Sequence, residues 1–337
     1  MQASSNERSQ ALWKGVDLLL ERATVDGILA HKLGPLAAHR LRRLGEPVPP
    51  ALEQEHRAAS LSKLASGRLV GRLRGSSDHP VVLIKGPEVA RLYPGEARRF
   101  RDLDVLTPDA HGLQRALLAN GFVEVDEPGL IIPEHHLAPL RWPSLPLEVE
   151  VHTVPNWPPS AGRPPLAAIL GAAVPSSTGV EGVLTPTPGH HALVLASHAW
   201  VHEPLRTLRD LVDIAAFAVQ AERRELDATA EAWGIGPLWR TTSEAIDALF
   251  FGGRRTLPLR SWARHLEPVR ERARLEGYGE WLFHGFWEVA AYKAPVHTIR
   301  ALGSLVAPRA GDTWGRKLGR APNALRRLRA PVKREGR

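Results

Sequence analysis

Hydrophobic positions over the first 75 residues recur at helical spacing. Leu12, Val16, Leu19 and Leu20 stand at i, i+4, i+7 and i+8, one face of a helix. Leu33 to Leu44 carries a basic face, and Pro47-Val48-Pro49-Pro50 breaks the run. The pattern predicts a helical segment over 8–75. Between 78 and 152 the period changes. Val81-Val82-Leu83-Ile84 reads as a buried strand that ends at Lys85-Gly86, followed by a short helix from Pro87 to Leu92. Leu103 and Val105 alternate with Asp102 and Asp104, and Leu147, Val149 and Val151 alternate with Glu148, Glu150 and His152. Each predicts a strand with its polar side chains on one face. A helix from Ala110 to Ala119 stops at Asn120-Gly121, and a strand from Phe122 to Val125 follows.

Residues 153–188 are rich in Pro, Gly and Ser and read as an irregular connector. From Gly189 helices dominate, at 189–201, 204–222, 226–234, 237–251 and about 265–291. No internal repeat is visible, and the tryptophans of this half are expected in the core. The expected layout is a helical segment at 1–77, a mixed core at 78–188, a helical domain at 189–308 and a basic, flexible tail at 309–337.

Composition narrows the class. A chain of 337 residues has material for about two domains and buries a core without staples. It contains no cysteine, which excludes disulfides and thiolate metal sites. The polar start and the lack of any long uncharged apolar stretch point to a cytoplasmic protein without a transmembrane segment. From Arg300 to Arg337 the charge is +9 within a total of +8, which leaves the preceding residues at −1. The expected partner of that tail is a polyanion, bound weakly, or anionic lipid, or only solvent.

Chemistry concentrates on the two acid-bearing strands. Carboxylates about 4 Å apart repel by roughly 4 kcal/mol at an effective dielectric near 20, so Asp102 and Asp104 stay ionised together only beside a cation. Mg²⁺ takes one or two carboxylates plus substrate phosphates, which makes this pair a candidate phosphate-transfer centre. Glu150 and His152 share the face of the second strand. The Lys85-Gly86 junction offers backbone N–H groups to a phosphate, although Lys85 also reads as a snorkelling strand-end lysine. His198 and His202 stand at i and i+4, a spacing that suits zinc, but no HExxH accompanies them and packing is the expected role. Asp213 is expected to pair with Arg206 or Arg209. His135-His136 and His190-His191 are read as surface.

The strings Leu83-Ile84-Lys85-Gly86, Leu92-Tyr93-Pro94, Arg98-Arg99-Phe100-Arg101-Asp102-Leu103-Asp104 and Val149-Glu150-Val151-His152, with His198, His202 and Leu211-Val212-Asp213-Ile214-Ala215, occur in this order. Together they resemble the uncharacterised bacterial nucleotidyltransferase family of the DNA polymerase beta-like superfamily, over about residues 80–220. The resemblance implies that Asp102 and Asp104 hold two Mg²⁺ (or Mn²⁺) ions and that Glu150 completes the metal site or takes the acceptor's proton. It also implies that Gly86 opens the phosphate-binding turn and that Lys85 and Arg98 neutralise triphosphate charge; His152, His198 and His202 are candidates for orienting substrate by their own placement. It selects Glu150 over Glu148. The superfamily's usual Gly-Ser motif is replaced by Lys85-Gly86, standing further from the acid pair.

The expected fold class is therefore α+β, a nucleotidyltransferase-like mixed β-sheet with flanking helices between an N-terminal helical segment and a C-terminal helical domain. The expected function is transfer of a nucleoside monophosphate from an NTP, ATP foremost, to the hydroxyl of an unidentified acceptor (small molecule, protein or RNA). The alternative is a catalytically inactive protein of the same fold that binds nucleotide or a partner.

Overall fold

The computed structural model of the chain describes residues 4–125 and 135–288. The basic tail at 309–337 and the far end of the helix expected at 265–291 lie outside the described residues. Four helices open the chain: α1 (Ser5–Glu21), α2 (Val25–Ala30), α3 (Gly34–Arg43) and α4 (Pro50–Gly75). Ser4 caps α1 in a reciprocal box with Glu7, and Pro35 and the Pro49-Pro50 pair start α3 and α4, where a missing N–H costs nothing.

The central part carries β1 (Val81–Leu83), α5 (Pro87–Ala90), β2 (Asp102–Leu106), α6 (Ala110–Ala119), β3 (Val123–Glu124), β4 (Leu140–Arg141) and β5 (Glu148–His152). The segment expected as an irregular connector adds α7 (Leu166–Gly171), β6 (Val174–Pro175) and β7 (Val183–Thr185). Two- and three-residue strands are too short to show a period, which is why the sequence pattern hides them. The helical part comprises α8 (Pro188–His202), α9 (Leu208–Ala218), α10 (Arg223–Ala232), α11 (Gly236–Phe250), α12 (Leu257–Arg260), α13 (Arg274–Phe283) and α14 (Gly285–Glu288). The helix expected from about residue 265 starts only at Arg274, because Pro268 lacks an N–H and Val269 takes φ 46°.

The strands form one mixed seven-stranded sheet in the order β3-β4-β5-β2-β1-β7-β6. At its centre β2 runs parallel to β5 and antiparallel to β1, which in turn runs parallel to β7. One face is apolar throughout: Leu83, Leu103, Val105, Val149 and Val151 are at 0 % exposure and pack with Leu69 and Leu73 of α4 and Leu113 and Leu117 of α6. Each such side chain contributes about 1.5–3 kcal/mol. The other face is divided. Val82, Ile84 and Leu106 meet Ile169 of α7 and Val194 of α8 at one end, and the acids of β2 and β5 occupy the other.

A second, larger core unites helices from both ends of the chain. Leu12 and Val16 of α1, Ile28 of α2 and Leu36 of α3 belong to the same cluster as Leu193, Leu211, Phe217, Trp239 and Trp262. Val89 and Tyr93, which precede β2, also belong to it, so the acid-bearing face of the sheet looks toward this helical body.

Candidate active site

The register of β2 and β5 builds the site. Asp102 stands opposite Glu148, Asp104 opposite Glu150 and Leu106 opposite His152, in a parallel ladder. Alternation sends Leu103, Val105, Val149 and Val151 into the core and turns Asp102, Asp104, Glu150 and His152 the other way. His152 donates from Nε2 to Asp104 Oδ1 at 2.7 Å and lies 3.8 Å from Glu150 Oε2. Lys85, directly after the β1 run, places Nζ 3.7 Å from Asp104 Oδ1.

Helix α8 closes over these groups with a single face. Val194, His198 and His202 lie four residues apart, and Val194 packs on Leu106. His198 then accepts a hydrogen bond from Lys85 Nζ at 2.6 Å, and His202 reaches Asn156 Nδ2 at 3.4 Å, its ring 4.5 Å from that of His198. Burial, reinforced by the Lys85 charge, holds His198 well below the ordinary histidine range, so its ring is the neutral acceptor.

Gly86 is required where it stands. Its φ is +71°, and a Cβ there would lie 2.9 Å from Leu103 Cδ2 and 3.3 Å from the Asp102 carbonyl oxygen. Only glycine tolerates both the conformation and the contact. The helix it introduces is one turn long and begins with Pro87, which has no N–H, so any phosphate charge here must be met mainly by side chains.

The three acids differ sharply. Asp104 is 1 % exposed; burial opposes its charge, but the Lys85 ammonium and the bond from His152 hold its carboxyl well below the usual range. Burial and the neighbouring Asp104 push Asp102 up. Burial, Asp104 and Asp102 push Glu150 up to about 8. The site therefore carries more carboxylate than its own cations satisfy. Asp104 Oδ2 is buried without a hydrogen-bond partner, and single donor atoms of Asp104, Glu150 and His152 all lie within 4.8 Å of one another. An orphaned carboxylate oxygen, a crowded second carboxylate and a nearby imidazole fit a divalent cation.

Other residues sit differently from expectation. Asp213 is bonded not to Arg206 or Arg209 but to Arg98, which donates from Nε at 2.8 Å and from Nη2 at 2.6 Å, while Tyr93 donates its hydroxyl at 2.6 Å. Arg206 pairs with Glu203 and Arg209 with Asp210. Arg98 keeps one nitrogen, Nη1, buried and unpartnered. Arg99 is bonded to Glu55.

The histidine pairs read as surface are not. His191 is at 0 % exposure, its Nε2 donates to the Ile84 carbonyl at 2.7 Å and its ring stacks on Phe217. His190 is half-buried, its ring 4.7 Å from that of Trp233. His135 and His136 are half-buried against His152, with ring centroids at 5.6 and 5.5 Å. A doublet has no period, and nothing in the sequence pattern shows that the chain folds back on β5.

Residues 23–242 match the sequence model of a family described as an uncharacterised nucleotidyltransferase. No curated protein and no solved structure matches the chain.

Proposed function

The chain belongs to this uncharacterised nucleotidyltransferase family, and on that premise we propose that it transfers a nucleoside monophosphate from an NTP, ATP foremost, to an acceptor hydroxyl. The observation that carries the reading is the in-register pair Asp104 and Glu150, with Asp104 Oδ2 lacking a partner in a buried, carboxylate-rich pocket.

In this reading Asp102, Asp104 and Glu150 hold Mg²⁺ or Mn²⁺, and His152 fixes the Asp104 carboxylate. When bound, the cation supplies charge neutralisation at the attacking and leaving oxygens. Lys85 meets triphosphate charge, kept in place by neutral His198. Glu150, more exposed than Asp104, either completes the metal site or takes the acceptor's proton. The acceptor oxygen bonds to the α-phosphorus as the bond to the bridging α,β oxygen breaks, and pyrophosphate leaves. His198 and His202 line the side of the cleft against which substrate is oriented. No helix among the described residues is long and apolar enough to cross a membrane, and an NTP substrate suits the cytoplasm. The basic stretch at 309–337 supplies weak polyanion capture.

The test is to incubate the protein with each labelled NTP, Mg²⁺ or Mn²⁺ and a cell extract, and to identify what becomes labelled. A metal-dependent labelled product, absent with Asp104→Asn, supports the reading. A wild-type protein that binds Mg²⁺–NTP but labels nothing favours the inactive alternative.

A further inference from the structure

Hydrogen bonds tie the segment that leads into β2 to α9, and α9 to the N-terminal helices. Arg98, four residues before Asp102, is clasped to Asp213 of α9. One turn earlier on the same helix, Leu208 N–H donates to His31 Nδ1 at 3.2 Å, and His31 Nε2 donates to the Arg270 carbonyl at 2.9 Å. His31 closes α2, and Lys32 follows it with φ 58°. This geometry sets the turn between α2 and α3 against the start of α9, and brings Lys32 up to Arg209.

The result is a row of cations that starts beside Asp104: Lys85, then Arg98 and Arg209, anchored on Asp213 and Asp210 of α9, then Lys32, next to the histidine bonded to that helix. Two of their nitrogens are buried without partners, Arg98 Nη1 and Arg209 Nε, and Arg98 itself is only 6 % exposed. Asp213 is consumed by Arg98 and Tyr93. Asp210 answers Arg209 at 3.3 Å, which leaves Lys32 facing surplus positive charge. The Arg209 charge first, then burial, lowers Lys32's hold on its proton, with Arg206 and Arg101 adding to the effect and Asp210 opposing it. The Lys32 side chain is solvent-exposed, so an anion can reach it, and like charges held together by the fold gain when an anion enters.

The row continues from the acids. Lys85 lies 3.7 Å from Asp104, and Arg98 stands four residues before Asp102. An anion spanning it would have one end at Asp102 and Asp104 and several further charges toward α2. A phosphate chain has this shape, and the one-turn helix α5 offers it little of its own.

We propose that Lys32 and Arg209, with the free Nη1 of Arg98, bind the outer phosphates of the nucleoside triphosphate, so that the turn between α2 and α3 is a wall of the nucleotide site. This rests on the nucleotidyl-transfer reading for the identity of the ligand, while the anion site itself stands on the cation row.

The experiment is calorimetric binding of Mg²⁺–ATP, Mg²⁺–tripolyphosphate and AMP to the full chain and to Lys32→Gln and Arg209→Gln, with Lys32→Arg as the conservative control. Loss of about 10-fold in affinity for ATP and tripolyphosphate in both Gln variants, with AMP affinity unchanged and Lys32→Arg close to wild type, is the expected result. Gln variants that bind ATP and tripolyphosphate as wild type does, or that lose AMP to the same degree, overturn the inference and leave nucleotidyl transfer standing. Tripolyphosphate binding that depends on Lys32 and Arg209, in a protein that transfers no nucleotide, keeps the inference and removes the reading. A wild-type chain that binds neither ATP nor tripolyphosphate overturns both.

Discussion

His152 and Asp104 lie on neighbouring parallel strands, and the bond from His152 Nε2 to Asp104 Oδ1 at 2.7 Å leaves the second carboxylate oxygen buried and unpartnered. One oxygen is thereby fixed by the protein and the other is free for a ligand.

That division separates the two aspartates. Asp104 is stabilised in its charged form by Lys85 and His152, against burial, whereas Asp102 is opposed by burial and by Asp104. Without divalent cations, Asp104→Asn is expected to lower stability by about 1–3 kcal/mol, because Lys85 loses its counter-charge. Asp102→Asn is expected to raise the melting temperature. Both should abolish metal-dependent transfer. Thermal melts in chelator, beside activity with Mg²⁺, check the split; equal melting shifts of the same sign would contradict it.

The clasp of Arg98 on Asp213 is buried on both sides, each side chain at 6 % exposure. Removing one partner strands a charge, so Asp213→Asn should cost about 3–5 kcal/mol. Tyr93→Phe removes a single bond to the same carboxylate and should cost nearer 1–2 kcal/mol. Urea midpoints measure both. A mild Asp213→Asn would mean that Arg98 finds another acceptor.

Acid should weaken the fold through its buried histidines, an effect that Glu150, pushed up to about 8, opposes. His191 is held down to about 3 and His265 to about 4, both by burial first. In the unfolded chain they titrate near 6.5. Between that pH and about 4 the unfolded state therefore binds more protons, and stability falls as pH falls, by up to about 1.4 kcal/mol per pH unit for each histidine. Denaturant midpoints from pH 7 to 5 report it. His191→Gln should start lower but decline less steeply; an unchanged slope would show that His191 is not part of the effect.

Gly86→Ala forces a β-carbon against Leu103 and the Asp102 carbonyl at φ +71°. The expected cost is about 1–3 kcal/mol, with a larger loss in transfer than in stability, because the displaced backbone carries Asp102. A steady-state assay beside a melting curve distinguishes the two; full activity would show that the strand yields without moving the acid.

Much of this arrangement is written locally. The alternation of Leu103 and Val105 with Asp102 and Asp104, and of Val149 and Val151 with Glu150 and His152, gives both the strands and the face each presents. That the two strands are neighbours, parallel and in register is not local, because more than forty residues, including α6, β3 and β4, separate them. Arg98 and Asp213 stand 115 residues apart, and nearer arginines are just as plausible by spacing alone. The buried His191 is hidden for another reason: its role is to satisfy the Ile84 carbonyl at the end of β1, and backbone groups leave no mark on a pattern of side chains.

The spacing between the carboxylates of Asp104 and Glu150 is set by a backbone ladder, about 4.8 Å from strand to strand, and by no loop. The side chains that border the cleft from outside the ladder, such as His135 and His136 against His152, do not set the distance at which the two acids face each other. The facing of the two acids thus travels with the hydrogen bonds of β2 and β5, and a change elsewhere on the surface reaches it only by breaking that ladder.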